Sequence, residues 1–347
     1  MRFYNKQHKY YCGIDLHART MYLCIMNQEG DILFHRNRKT NSEAFLKTIT
    51  PYREDIVVCV ECIFTWYWLA DLCAKENIPF VLGHALYMKA IHGGKSKNDR
   101  IDSRKIAVLL RGGTIPMAYV YPRKMRSTRD LLRRRMFFVH KRAELISHIQ
   151  NTNSQYNLPQ FGKKIAYKTN RIGIEKRFEN LSVRKSVEAD LAMLKAYDQV
   201  IADVELYIIH QVKIHNPNAY HLLKTIPGVG QILALVLLYE IEDVNRFPRF
   251  QQFCSYARLI RPTKESAGKR CGVSNKKIGN HHLKWAFSEA VCLLLRESDE
   301  VEKRRQKLEQ RHGKGKALGI LSKKLGIAVY YMLKRGKAFD LSKYLNQ

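Results

Sequence analysis

The chain has 347 residues, 46% of them hydrophobic, and its 61 Lys and Arg side chains against 31 Asp and Glu give a net charge of +30. This length and composition favour two or three domains with buried cores and exclude a disordered chain. The charge favours nucleic acid as a partner over an anionic membrane surface, because Lys and Arg displace counterions from phosphates.

Membrane insertion and export are not expected. The longest strongly apolar run, Ile232 to Tyr239, is well short of the ~20 residues that span a bilayer. The first residues lack the apolar run of an export signal, so we expect a cytoplasmic, nucleoid-associated bacterial protein. Its eight cysteines are then expected to be reduced thiols. Cys59 and Cys62 form one CxxC, and no second ligand pair follows at zinc spacing.

Residues 1–118 are predicted to form an α/β domain with a mixed sheet. Strands are expected at Tyr10–Leu16, Thr20–Asn27, Ile32–Arg38, Asp55–Ile63 and Ile78–Gly83. Helices are expected from Asn41 or Ser42 to Ile49, at Tyr67–Glu76 and at Asp99–Leu110. A three-stranded meander followed by helix, strand, helix, strand and helix is the element order of an RNase H-like nuclease core.

Residues 119–216 are predicted to be two long amphipathic helices. Apolar residues recur at helical spacing from Leu132 to Ile146 and from Val187 to Ile208, with a basic loop around 162–176 between them. The pair could form a helical hairpin or a coiled-coil dimer arm. Within the first helix, Arg133 and Arg134 are candidate phosphate contacts, although an arginine cluster on a helix is more often simply solvated.

Residues 217–347 are predicted to form a third, mainly helical domain. Its IPGVG segment, Ile226 to Gly230, lies between two apolar helical stretches and is typical of a helix-hairpin-helix. Gly228 and Gly230 would let the backbone approach a DNA phosphate, which the N–H groups of the next helix could bind. An ordinary tight turn is the alternative interpretation.

Four acidic residues carry the predicted chemistry. Asp15 and Glu61 lie inside apolar strands, where an unpaired charge costs several kcal/mol. Asp99 and Asp102 are three residues apart at a helix start and so share one face. Together the four could hold two Mg²⁺ ions about 4 Å apart, as in-line attack on a phosphodiester requires. Ion pairs in the strands and favourable interactions with the helix dipole are the competing explanations.

The motifs around these acids, GIDLH, VECIFTW and KNDRIDS, resemble the DEDD-type RuvC-like domain of insertion-sequence transposases, the bridge-RNA-guided recombinases. Two later segments, LLKTIPGVGQILALVLLYEI and FPRFQQFCSYARLIRPTKESAGKR, resemble the second transposase domain of the same family. The resemblance implies that Asp15, Glu61, Asp99 and Asp102 hold Mg²⁺ as the catalytic acids. It also implies a homodimer or homotetramer, and a guide RNA that pairs with donor and target DNA.

The resemblance further implies a nucleophilic serine, placed at Ser266 in KESAGKR, which is predicted to be a polar, glycine-bearing loop. Its hydroxyl would attack DNA phosphate and form a phosphoserine intermediate. Nearby cations are candidate nucleic-acid contacts: Lys264, Lys269 and Arg270. Ser274 is the second candidate nucleophile.

Three functions are consistent with these features. The first is a transposase that cleaves, exchanges and rejoins DNA strands through Ser266. The second is a Mg²⁺-dependent RuvC-like endonuclease or Holliday-junction resolvase with water as the nucleophile. The third is a non-catalytic nucleic-acid-binding scaffold, which the complete set of four acids argues against.

Overall fold

The computed structural model describes residues 2–91, 98–211, 214–261, 263–272 and 278–346. The chain divides into two compact units, Met1–Lys124 and Met125–Gln347, and the middle helices belong to the second. None of the helices in these described ranges is long and apolar enough to cross a membrane.

The first unit is built on a five-stranded mixed sheet. Its strands are β2 (Tyr10–Leu16), β3 (Thr20–Met26), β4 (Ile32–Lys39), β5 (Ile56–Glu61) and β6 (Phe80–Gly83). They lie in the order β4-β3-β2-β5-β6. The pairs β2–β3 and β3–β4 are antiparallel, whereas β2–β5 and β5–β6 are parallel. Two short strands, β1 (Phe3–Tyr4) and β7 (Ile115–Pro116), pair separately. The predicted meander and mixed sheet are confirmed.

Four helices accompany this sheet: α1 (Ser42–Ile49), α2 (Tyr67–Lys75), α3 (Ala85–Ile91) and α4 (Asp99–Arg111). Asn41 caps α1, because its side chain accepts a hydrogen bond from the Ala44 N–H at 2.7 Å. Asn98 caps α4 in the same way, because its side chain accepts a hydrogen bond from the Ile101 N–H at 2.8 Å. The helix α3 was not predicted, since its short ALYMKAI sequence carries no capping or stop signal.

The second unit begins with two long helices, α5 (Arg123–Gln155) and α6 (Leu181–Gln211). An ion pair joins Arg135 to Glu205 and a hydrogen bond joins His148 to Asp190, so residue numbers rise along one helix as they fall along the other. The two helices therefore run antiparallel within one chain. The connecting segment packs Ile165, Ile174 and Phe178 against α5 and α6 in a shared apolar cluster.

The remainder of this unit is mainly helical, as predicted. Its helices are α7 (Pro217–Lys224), α8 (Gln231–Ile241), α9 (Phe250–Tyr256), α10 (His281–Glu297), α11 (Asp299–His312), α12 (Lys314–Arg335) and α13 (Leu341–Asn346). Every residue of α8 from Leu233 to Ile241 is buried. This central helix contacts α7 and α10.

The KESAGKR segment, predicted as a loop, is a hairpin of β8 (Lys264–Ser266) and β9 (Lys269–Gly272). Ala267 and Gly268 both have positive φ, 50° and 72°, as a two-residue turn of the type that joins antiparallel strands requires. Sequence patterning missed the hairpin because its strands are short and polar.

Candidate functional site

The acidic site of the first unit depends on how closely α4 lies on β2. A Cβ added at Gly13 would lie 2.3 Å from the Ala107 nitrogen and 2.4 Å from the Ser103 carbonyl oxygen. Only glycine permits this approach of helix backbone to strand. Because side chains alternate along a strand, Asp15 points to the same face as Gly13, and so towards α4.

Two acids of α4 lie near Asp15. Asp99 and Asp102 occupy the first turn, where the Asn98 cap fixes the helix start one turn before Ser103. A first-turn carboxylate is stabilised by the positive end of the helix dipole. The spacing predicted from sequence therefore places both acids at the helix end that overlies the C-terminal part of β2.

His17 joins this group. Its Nε2 lies 3.4 Å from an Asp15 carboxylate oxygen and 3.6 Å from one of Asp99. Ligand atoms of Asp15, His17 and Asp99 all lie within 4.8 Å of one another. The sequence interpretation overlooked His17, although its position two residues after Asp15 in GIDLH was a signal for the same face.

The carboxylates are electrostatically coupled. Burial raises the pKa of Asp15; His17 opposes this, whereas the charges of Asp99 and Asp102 reinforce it. The Asp15 side chain is 14% exposed, whereas those of His17 and Asp99 are 49% exposed. A half-buried carboxylate that faces two others is a favourable place for a cation, because the cation removes the mutual repulsion.

Glu61 is placed on the same sheet face. It ends β5, which runs parallel to β2 with Ile14 opposite Val60, so the same register places Glu61 beside Asp15. Val57 and Cys59, the alternate residues before it, pack with Ile106 and Leu110 of α4. Glu61 and Asp102 nevertheless lie outside the group of ligand atoms within 4.8 Å. Asp102 is 3.8 Å from the Lys105 ammonium nitrogen.

This donor set fits a hard divalent cation. Carboxylate oxygens are the ligands that Mg²⁺ prefers, and it keeps several waters, so two or three protein ligands are enough. The imidazole of His17 also suits Mn²⁺ or another transition metal. Among the described residues, Asp15, His17 and Asp99 are the group of acids, histidines and cysteines whose positions suit a metal.

Ser266 lies in the second unit, as the last residue of β8 and exposed to solvent. It pairs with Lys269 across the two-residue turn. Ala267, immediately after it, has φ of 50°, a conformation that is uncommon for a residue with a side chain. Arg270 pairs with Glu265, and Lys264 begins the strand. Ser274 lies outside the described residues.

The two candidate arginines of α5 differ in their surroundings. Arg133 donates to both carboxylate oxygens of Glu240 on α8, at 2.6 and 2.8 Å, and so has a partner inside the protein. Arg134 is exposed, and its guanidinium carbon lies 4.8 Å from the ring centres of both Phe137 and Phe138.

The glycines of the α7–α8 turn also differ. Gly228 has φ of 79°, and a Cβ there would lie 2.8 Å from the Leu293 side chain of α10, so the close approach it permits is used for packing. A Cβ added at Gly230 would meet nothing within 4 Å, and no side chain caps the start of α8 there. The backbone N–H groups at the start of α8 thus lack the side-chain oxygen that usually satisfies one of them.

Comparison with known proteins matches both units. A DEDD transposase family model of the IS110 type matches residues 12–157. The model described as "Transposase IS116/IS110/IS902 family" matches residues 220–306. The transposase for insertion sequence element IS1111A of Coxiella burnetii (strain RSA 493 / Nine Mile phase I) is 22% identical over 334 residues, covering 94% of this chain and 90% of the relative.

Proposed function

We propose, from the premise that this chain belongs to the IS110 family of insertion-sequence transposases, a Mg²⁺-dependent reaction that cleaves, exchanges and rejoins DNA strands through a phosphoserine. The convergence of Asp15, His17 and Asp99 carries the proposal, because strand and helix-start residues distant in sequence meet within 4.8 Å.

Asp15 and Asp99 would hold the ion, with His17 as a third donor and with Glu61 and Asp102 adding negative charge around it. A bound Mg²⁺ would stabilise charge on phosphate oxygens. The order of strands in the mixed sheet supports an RNase H-like core for this unit. The close packing of α4 on β2 at Gly13 is what brings Asp99 of the helix near Asp15 of the strand.

Ser266 is proposed as the nucleophile. Its Oγ forms a bond to DNA phosphorus while the bond from phosphorus to the leaving deoxyribose oxygen breaks. The serine hydroxyl loses its proton and the leaving oxygen takes one up, so no oxidant or reductant is needed. Attack of a deoxyribose hydroxyl on the phosphoserine reverses these changes and rejoins the strand. The exposed position of Ser266 at a hairpin tip supports this role.

DNA and a guide RNA are the proposed partners, with a homodimer or homotetramer as the active form. The net charge of +30 supports binding to phosphates. Exposed Arg134 and Lys269, together with the uncapped start of α8 at Gly230, are the proposed backbone contacts. Lys264 of β8 and Arg270 of β9 are proposed to bind the same DNA strand. The α7–α8 turn would then act as a helix-hairpin-helix.

The test is to trap a protein–DNA adduct on a labelled junction that carries the element's ends, with the Ser266→Ala variant and Ser288→Ala as the matched control. Ser288 is an exposed serine whose hydroxyl bonds only within α10, to the Lys284 carbonyl. Adduct should form with wild type and Ser288→Ala and be absent with Ser266→Ala. DNA cutting at full rate by Ser266→Ala would favour the endonuclease with water as nucleophile.

The metal is tested separately, by calorimetric titration of Mg²⁺ and Mn²⁺ into wild type and Asp15→Asn. Asn keeps the shape of the side chain but removes the charge, so ion binding should weaken by at least about tenfold, or ~1.4 kcal/mol. Equal binding by both proteins would exclude the site at Asp15. The RNA guide is tested by sequencing nucleic acid that copurifies with the protein, before and after ribonuclease treatment.

A further inference from the structure

The segment that carries Ser266 begins and ends at a single crossing of the backbone. The Asn280 N–H donates to the Tyr256 carbonyl at 2.6 Å. The Arg258 Nε donates to the carbonyls of Ile278 and Gly279, at 3.0 and 2.9 Å. These bonds join the chain at Tyr256 and Arg258 to the chain at Ile278–Asn280, and the β8–β9 hairpin with Ser266 lies between these two places in the sequence.

The crossing is too close for a side chain at its centre. A Cβ at Gly279 would lie 2.7 Å from the Tyr256 carbonyl oxygen, and Gly279 has φ of 94°. Arg258 itself has φ of 55°, so the chain turns sharply on both sides of the contact. Backbone in such sparsely populated conformations persists only when surrounding contacts fix it.

The Asn280 side chain provides that fixation. It is 7% exposed, and its Oδ1 accepts from the N–H groups of His282 and Leu283, which caps α10. Its Nδ2 donates to the Glu240 Oε2 at 2.7 Å and to the Tyr256 hydroxyl at 3.3 Å. The Asn280 side chain thus joins the backbone crossing to the start of α10 and to α8.

Glu240 is itself fixed from the other side. It is 3% exposed, and both of its oxygens accept from Arg133 of α5. Burial alone would raise the pKa of Glu240, but the hydrogen bonds and charge of Arg133 hold it below its usual value. A buried, charged and fully bonded carboxylate has little freedom to move, so it gives Asn280 a rigid partner.

We propose that Asn280 and Glu240 are positioning residues for the nucleophile: they fix the crossing from which the chain leaves towards the β8–β9 hairpin, so that Ser266 meets the DNA phosphate in one orientation. This inference rests on the proposed serine mechanism. It assigns to the two residues no contact with DNA. Their loss should slow the formation of the covalent adduct and leave the affinity for DNA unchanged.

Asn280→Ser tests the proposal without removing the helix cap, because serine is also a good N-cap. It removes the amide that donates to Glu240 and to the Tyr256 hydroxyl. The matched control is Asn216→Ser, since Asn216 caps α7 through the Ala219 N–H and makes no bond to Glu240. At saturating DNA, adduct formation by Asn280→Ser should fall by about tenfold or more. Asn216→Ser should keep the wild-type rate, and both should keep the wild-type Kd for DNA.

A reversed pair provides the rescue. Asn280→Asp alone places two carboxylates in contact and should lose the adduct rate as Asn280→Ser does. Asn280→Asp combined with Glu240→Gln moves the carboxylate across the same hydrogen bond, with the Gln amide as donor. The double variant should recover most of the rate. A merely structural contribution to stability would not give recovery of the rate at saturating DNA while the Kd stays constant.

Hydrogen exchange of the amides of residues 254–260 and 278–283 reports the crossing independently of the chemistry. Exchange should be faster in Asn280→Ser than in Asn216→Ser. Equal adduct rates in these two variants, with an adduct present in wild type, would overturn the positioning role while leaving the serine mechanism intact. The absence of any serine adduct in wild type would instead remove the mechanism and the positioning role together.

Discussion

Replacing Arg133 by Met isolates the contribution of the ion pair that Arg133 makes with the buried Glu240 in the second unit. Methionine keeps an unbranched apolar stem and removes the charge and both hydrogen bonds to Glu240. Glu240 is then left 3% exposed with one remaining bond, from Asn280. The neighbouring substitution Arg134→Met is the control, because Arg134 is exposed and contacts aromatic rings instead of an acid.

The expected magnitude follows from the burial of Glu240. Removing one partner of a buried pair costs about 3–5 kcal/mol, because the other charge stays in a poorly solvated place. That is a large part of the ~5–15 kcal/mol by which a domain is stable. At about 2–4 °C for each kcal/mol in a unit of this size, the Tm should fall by roughly 6–20 °C. Arg134→Met should cost ~1 kcal/mol or less, the value of an exposed cation–π contact.

The assay must follow the second unit alone, since a chain of two units need not unfold in one step. Of the three tryptophans, Trp66 and Trp68 lie in the first unit and Trp285 lies in α10 of the second. Replacing Trp66 and Trp68 by Phe leaves Trp285 fluorescence as the reporter. Urea unfolding of this background, with and without Arg133→Met, gives the difference in unfolding free energy.

A second substitution separates the lost charge partner from lost packing. Glu240→Gln in the Arg133→Met background removes the stranded charge and keeps an oxygen for the Asn280 amide to bond. The double variant should recover more than half of the lost stability. The reasoning is refuted if Arg133→Met costs no more than Arg134→Met, or if Glu240→Gln makes the single variant less stable still.

Three further perturbations have defined outcomes. Gly13→Ala places a methyl group against the α4 backbone at Ala107, and the clash should lower the unfolding free energy of the first unit by about 1–3 kcal/mol or more and weaken Mg²⁺ binding. Calorimetry that shows neither effect would exclude the close packing. Burial lowers the pKa of His282 to about 4, so the folded state binds a proton at this side chain less readily than the unfolded state does. The free energy of unfolding should therefore fall by up to ~3 kcal/mol as the pH drops from about 6.5 to 4. His282→Phe should make this dependence on pH less steep, and equal pH profiles for the variant and the wild type would contradict the assignment. Ala267→Gly relieves the strain of a positive φ, so the rate of adduct formation should stay at or above the wild-type value. Ala267→Val should lower this rate, which is measured by quantifying the adduct on gels.

Local patterns in the sequence were sufficient for most of the first unit. The predicted strand Tyr10–Leu16 is found with the same bounds, and the predicted strand Asp55–Ile63 is found at Ile56–Glu61. Alternation of apolar residues, glycine turns and asparagine caps are all short-range signals, so they can be read without the fold. The helix Ala85–Ile91 has none of these signals, and it was missed.

Contacts between distant residues are a different matter. The sequence indicated that Asp15 and Asp99 would meet, because an acid inside an apolar strand is unusual and because Asp99 and Asp102 share one face at a helix start. It did not indicate His17, whose role depends on the approach of α4 at Gly13. It also gave no sign that Arg133 pairs with Glu240, since the two are 107 residues apart.

The run Arg133–Arg135 illustrates why charge alone misleads within a helix. Successive helical residues are about 100° apart, so three adjacent arginines point in three directions and cannot share one phosphate. Arg133 bonds Glu240 of α8, Arg135 bonds Glu205 of α6, and Arg134 alone of the three is exposed. Two of the three guanidinium groups therefore connect α5 to its neighbouring helices. Counting them as part of a nucleic-acid surface would overstate its charge threefold at this point, and the excess that binds phosphate must come from side chains without an acidic neighbour.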